Sequence, residues 1–172
     1  MRIGIVGAGG VGSVVGGLLS HGGHDVTLVD QWPEHINKIK SDGLLVESRD
    51  QSILTRPNAI HICELAQITD PFEAAFIAVK SYDTTWATAL MLDYVDPESG
   101  VFVDFQNGIN DERMAAVAGA HRSLGCVIII GVGCYEPGKA IRYAAYPLGS
   151  KVCEHEGSDP PRAGRIAHTL NC

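Results

Sequence analysis

The chain has 172 residues, within the size range of one domain able to bury its own core. Its formal charge of −7, with no basic cluster, speaks against nucleic acid as a partner. There is no run of ~18 apolar residues and no charged n-region before a cleavable apolar stretch, so no membrane association is expected and a cytoplasmic location is the default.

The first element in chain order is a buried strand, Arg2-Ile3-Gly4-Ile5-Val6, which runs directly into Gly7-Ala8-Gly9-Gly10-Val11-Gly12. That Gly-x-Gly-x-x-Gly spacing behind a strand is the dinucleotide-binding fingerprint: Gly7 permits a tight turn, Gly9 lets the backbone approach a pyrophosphate, and Gly12 allows close helix–sheet packing. The free N–H groups and dipole of the following helix complete an anion site. That helix shows its apolar face in Val11, Val14, Val15, Leu18 and Leu19, at i, i+3, i+4, i+7 and i+8. After His21-Gly22-Gly23-His24, the run Val26-Thr27-Leu28-Val29 reads as a second buried strand ending on Asp30, 18 residues past Gly12. A carboxylate there accepts hydrogen bonds from the ribose hydroxyls of NAD and repels a 2'-phosphate, so Asp30 favours NAD over NADP. The plainer role for Asp30 is to cap the next helix, with Pro33 in its first turn.

Further along, residues 74–79 form a buried strand, and Trp86, Leu90, Met91 and Tyr94 mark the inner face of a helix. Residues 101–105 are the next strand, ending in Gln106-Asn107-Gly108, with a short helix from about Asn110 and another strand at 126–130. Strands at 140–143 and 151–153 and a helix from Pro160 to about Leu170 close the chain. This alternation predicts an α/β fold of Rossmann type, doubly wound around a mainly parallel sheet, with residues 1–172 as one dinucleotide-binding domain. Five scattered cysteines, Cys63, Cys126, Cys134, Cys153 and Cys172, suit reduced thiols. Cys153 and His155 share a strand face but lack a second ligand pair, so no metal is expected.

In such sheets ligands bind beyond the carboxyl ends of the strands, which brings forward Asp30, Lys80 and Asn107. The Lys80 ammonium can bond a ribose, a phosphate or a substrate carboxylate, and the Asn107 amide can both donate and accept. A solvated loop lysine and a turn asparagine are the bland readings of the same residues.

With these residues in view, the chain resembles the N-terminal domain of the ketopantoate reductase (2-dehydropantoate 2-reductase) family. The resemblance rests on the glycine turn, on Val79-Lys80-Ser81-Tyr82-Asp83-Thr84, on Gln106-Asn107-Gly108 and on Glu136-Pro137-Gly138 before a strand. It implies hydride transfer from NAD or NADP to the 2-keto group of ketopantoate, in pantothenate and coenzyme A synthesis. The cofactor contacts it implies are Gly7, Ala8, Gly9, Gly10, Val11, Gly12, Asp30, Lys80 and Asn107, with Lys80 and Asn107 also positioning substrate and Cys134 near a backbone contact. Family members are about twice this length, and their second, all-helical domain carries the general acid and a substrate-holding glutamate. That domain is absent from this sequence, so the chain is expected to bind cofactor and to turn over poorly, as a cloned domain or truncated product. A missing general acid alone costs on the order of 10²- to 10⁴-fold. Many members also carry a basic residue after the second strand, where this chain has Asp30-Gln31-Trp32. A non-catalytic NAD-sensing module and the N-terminal domain of another 2-keto or 2-hydroxy acid dehydrogenase stay open as alternatives, as does a homodimer.

Overall fold

The computed structural model describes residues 1–143, 149–154 and 161–171. In chain order the elements are β1 (Arg2–Val6), α1 (Gly10–His21), β2 (Asp25–Asp30), α2 (Pro33–Asp42), β3 (Leu44–Ser48), β4 (Ser52–Thr55), β5 (Asn58–His61), β6 (Ala74–Ile77), α3 (Thr84–Met91), β7 (Val101–Asp104), α4 (Asp111–Ala118), β8 (Ser123–Ile129), β9 (Val132–Glu136), β10 (Lys139–Arg142), β11 (Gly149–Glu154) and α5 (Pro161–Leu170).

Seven strands make one sheet in the order β11-β8-β7-β6-β1-β2-β5. All of its pairings are parallel except β11 against β8. From β1 the chain winds outward through β2 to β5, then returns to the other side of β1 and winds outward through β6, β7 and β8. The fold is thus a doubly wound α/β sheet of Rossmann type, with its switch point between β1 and β6. Helices and loops cover both faces, so the central strands are apolar throughout. Ile3, Ile5, Val101, Val103 and Leu124 face one core with Val14 and Val15 of α1. Val6, Ala75, Ile77 and Phe102 face the other with Ala87 and Met91 of α3 and Met114 of α4. No described helix is long and apolar enough to cross a membrane.

A second sheet, β4-β3-β10-β9, contains the strand expected at 140–143 as β10 and adds β3, β4 and β9, which the apolar runs do not show. It packs on α1, with Val46, Ala140 and Val132 against the core side of that helix. Helix α1 therefore lies between two sheets, and Ser13 is as fully buried as Val14.

Several expected elements are corrected in detail. Trp86 is 47% exposed, because the buried positions of α3 are Thr84, Ala87, Thr88 and Met91; of the four expected inner residues Met91 is fully buried and Leu90 and Tyr94 are partly buried against the same core. Helix α3 is only eight residues long and is followed at Leu92–Tyr94 by a tighter 3-10 turn, which breaks the 3.6-residue period linking Trp86 to Tyr94. The 151–153 strand is longer than expected and runs antiparallel as β11. Pro160, His155 and Cys172 lie outside the described residues.

Candidate functional site

At the switch point a crevice of about 720 Å³ opens beyond the carboxyl ends of the parallel strands. Its walls are residues 8–11 after β1, Asp30 at the end of β2 and Trp32 just past it, residues 78–81 after β6 and residues 105–107 after β7. Ile128, Ile130 and residues 131–135 close the side formed by β8 and β9. Seven of the nine candidate residues share this one space: Ala8, Gly9, Gly10, Val11, Asp30, Lys80 and Asn107.

Gly7 and Gly12 do not line that crevice. Gly7 has φ +97°, donates its N–H to Val29 O at 2.9 Å, and faces a smaller adjoining cleft with Gln31, Ile62 and Trp86. A Cβ on Gly12 would lie 2.0 Å from Gly7 O, so the helix can start this close to the turn only with hydrogen at that position. At Gly9, by contrast, an added Cβ would meet nothing within 4 Å. Helix α1 has no side-chain cap, so its first N–H groups face this open space without a protein acceptor from that source. A backbone cradle that a side chain would fill, backed by a helix N-terminus, is a fit for a diphosphate.

Asp30 closes the turn from the other side. Its Oδ2 accepts from Ala8 N–H at 2.6 Å and its Oδ1 from Trp32 N–H at 2.8 Å. A carboxylate offers about four acceptor positions, so about two remain for a ligand. Asp30 thus joins β2, the glycine turn and the entry to α2. The basic side chains of α2 are engaged elsewhere: Lys40 Nζ bonds both oxygens of Glu64 at 2.8 and 2.7 Å, and Lys38 pairs with Asp42. Among the described residues lining the crevice and the adjoining cleft, Lys80 is the one basic side chain.

Lys80 and Asn107 are both exposed on the opposite wall, and the loops that carry them are tied together by neighbouring polar groups. Buried Gln106 donates Nε2–H to Val79 O at 2.8 Å. Thr84 Oγ1 lies 2.9 Å from Gln106 Oε1 and 2.8 Å from Ser81 O, its one hydrogen shared between them. Asn110 Nδ2 donates to Asn107 O at 3.1 Å, and Asp104 Oδ1 accepts from Gln106 N–H at 3.0 Å. The backbone is pinned while the two side chains face the crevice. The sequence signal was present in Gln106-Asn107-Gly108, yet only contacts between distant loops show that Gln106 is the structural member of that segment.

Burial pushes the Asp104 carboxyl up to about 6, opposed by Gln106 N–H and reinforced by Asp111. Cys134 lines the crevice, and burial together with the Asp30 charge pushes its thiol up to about 11, so at neutral pH it is not a thiolate nucleophile. At the rim, Tyr143 Oη donates to Tyr135 Oη at 3.2 Å.

Residues 3–148 match the family model described as ketopantoate reductase PanE/ApbA. The chain is 32% identical over 177 residues to the 2-dehydropantoate 2-reductase of Halobacterium salinarum, covering 97% of this chain and 54% of that one. The crystal structure of 2-dehydropantoate 2-reductase from Geobacter metallireducens GS-15 superposes with a TM-score of 0.86 at 24% identity, covering 99% of this chain and 55% of that one. A ternary structure of D-mandelate dehydrogenase with NADH and anilino(oxo)acetate superposes with a TM-score of 0.84 at 20% identity, covering 99% and 53%. These two likenesses establish the fold. The chain spans about half the length of the relatives it matches. The match over residues 3–148 establishes the family: the chain belongs to the ketopantoate reductases, a family of NAD(P)-dependent oxidoreductases.

Proposed function

We propose that residues 1–172 form the dinucleotide-binding unit of a 2-dehydropantoate 2-reductase. The observation that carries this reading is the convergence of the open Gly9 cradle, the Asp30 carboxylate, Lys80 and Asn107 on one crevice at the switch point. When bound, a reduced nicotinamide supplies the hydride for the 2-keto carbon. The chain's own groups do the rest of the holding: residues 8–11 take the diphosphate, Asp30 takes a ribose, and Lys80 and Asn107 orient the nicotinamide end and a substrate carboxylate or keto oxygen. NAD is the preferred cofactor, since Asp30 meets the ribose with a negative charge and Lys40 is held by Glu64.

The reduced substrate oxygen also needs a proton. We place its donor outside these 172 residues, in keeping with the 54% share of the Halobacterium relative that the chain covers. Turnover of 2-dehydropantoate by this chain alone then falls on the order of 10²- to 10⁴-fold below that of a full-length reductase.

Parallel titrations of the chain with NADH and NADPH, followed by nicotinamide fluorescence and repeated on Asp30→Ala, test the cofactor reading. Tighter NADH binding whose preference disappears in the variant is the expected result. Binding of neither cofactor overturns it. A second reading, reduction of another 2-keto acid, is favoured by the likeness to the D-mandelate dehydrogenase fold and by Gln31 where many members carry a basic residue. Competition by a panel of 2-keto acids for the binary NADH complex separates the two.

A further inference from the structure

His35 does not line the crevice, yet it stands between the two walls. It lies on α2, fully buried, with its ring stacked on Trp32 at 5.1 Å between centroids and 11° between planes. Gly138 N–H, in the turn between β9 and β10, donates to Nδ1 at 3.0 Å, and Cys134 Sγ approaches the same nitrogen at 3.8 Å. A backbone N–H can only donate, so Nδ1 is the acceptor and the ring proton resides on Nε2. Nε2 lies 3.1 Å from Ser13 Oγ. With Oγ accepting there, the serine hydrogen is directed to Ala8 O, 2.6 Å away.

We infer that His35 is a positioning residue for the diphosphate cradle, acting through Ser13 to fix which way the Ala8–Gly9 peptide faces. The inference rests on the dinucleotide reading above. In a trans peptide the carbonyl and the next N–H point in opposite directions. Ser13 grips Ala8 O at a buried contact, so Gly9 N–H is aimed away from Ser13, and the space around Gly9 is open enough that an added Cβ would meet nothing within 4 Å. Asp30 holds Ala8 N–H at 2.6 Å, fixing the preceding peptide as well. Gly7 and Gly9 flank this unit and impose no conformational preference of their own, so without the grip the peptide is free to turn its carbonyl toward an anion. Burial lowers the His35 pKa against the opposing Asp30 charge and the nearby Ala8 backbone, both of which favour the charged ring, and the neutral form can both accept from Gly138 and donate to Ser13. The same imidazole therefore ties the β9–β10 turn, whose strand lines one wall, to the glycine turn of the other.

The test is displacement of NADH by ADP-ribose and by adenosine, on the whole chain and on Ser13→Ala, His35→Asn and His35→Gln, with unfolding midpoints measured in parallel. Ser13→Ala removes the hydroxyl that donates to Ala8 O, and His35→Asn leaves that hydroxyl without the Nε2–H that orients it; both are expected to weaken ADP-ribose about tenfold and to leave adenosine unchanged. His35→Gln places an amide N–H near the position of Nε2 and is expected to recover ADP-ribose binding to within about threefold, despite a lower midpoint. ADP-ribose affinity within about twofold of the parent in folded Ser13→Ala overturns the inference. Equal losses for adenosine and ADP-ribose also overturn it, since that is general loosening. If the parent chain binds neither NADH nor ADP-ribose, the dinucleotide reading itself fails and takes this inference with it.

Discussion

A single methyl group separates Gly12 from alanine, and it would have to occupy a point 2.0 Å from the Gly7 carbonyl oxygen. Either the turn or the start of α1 must move, so Gly12→Ala is expected to cost about 3 kcal/mol of stability and to abolish measurable NADH binding. Denaturant unfolding and a fluorescence titration of the same sample check both. Asp104 makes an opposite prediction. Its folded-state carboxyl is raised to about 6, chiefly by burial, so the folded state holds a proton that the unfolded chain has released near pH 4. Stability is then fully present below about pH 4 and is lost as pH rises through about 6. Asp104→Asn keeps an oxygen for Gln106 N–H and removes the ionisation, so its midpoint should exceed the parent's by several degrees at pH 7.5 and match it at pH 4. A gain that is equal at both pH values would refute this account. Gly12 was legible from spacing because its constraint is local, whereas Asp104, His35 and Gln106 take their roles from partners packed around them in the fold.

The same distinction separates the elements. The β1–α1–β2 unit could be read because its strands are apolar runs and its helix repeats apolar residues at helical spacing, all within 30 consecutive residues. The second sheet could not. Strands β3 and β4 have four or five residues each, and β3 pairs with β10, so Leu45 meets Lys139 across 94 positions of sequence. The direction of the edge strand β11 could not be read either, because nothing within six residues encodes which way a strand enters a sheet. That edge carries its own ion pair, Glu154 with Arg162 of α5, in which the Glu154 side chain is 3% exposed and Arg162 36%. Removing the arginine leaves a buried carboxylate without this partner. Arg162→Met is expected to destabilise by about 2 to 3 kcal/mol, below the range for a wholly buried pair because Arg162 reaches solvent. Adding Glu154→Gln should restore more than half of that loss, and thermal unfolding of the single and double variants decides it. A double variant no more stable than Arg162→Met would show that the pair does not anchor α5.

Across the whole molecule the crevice is a seam: residues 8–11 belong to the turn of the parallel sheet, and residues 131–135 lead into and along β9 of the second sheet, with α1 packed between the two. A ligand that fills the seam must therefore stabilise both sheets at once. NADH at about a hundredfold over its Kd contributes about 2.7 kcal/mol to the folded state, which raises the midpoint of a chain this size by roughly 5 to 10 °C. The distribution of that gain is the sharper observable. Amide hydrogen exchange with NADH bound should slow together at residues 8–12 and 131–138, which His35 links through Ser13 and Gly138, while the described residues of β11 and α5 on the far edge stay unchanged. Slowing confined to the glycine turn would mean that the second sheet is a support for α1 and takes no part in holding the ligand. Coincident slowing in both segments would make the second sheet, of which only β10 stands out in the apolar-run pattern, half of the binding site.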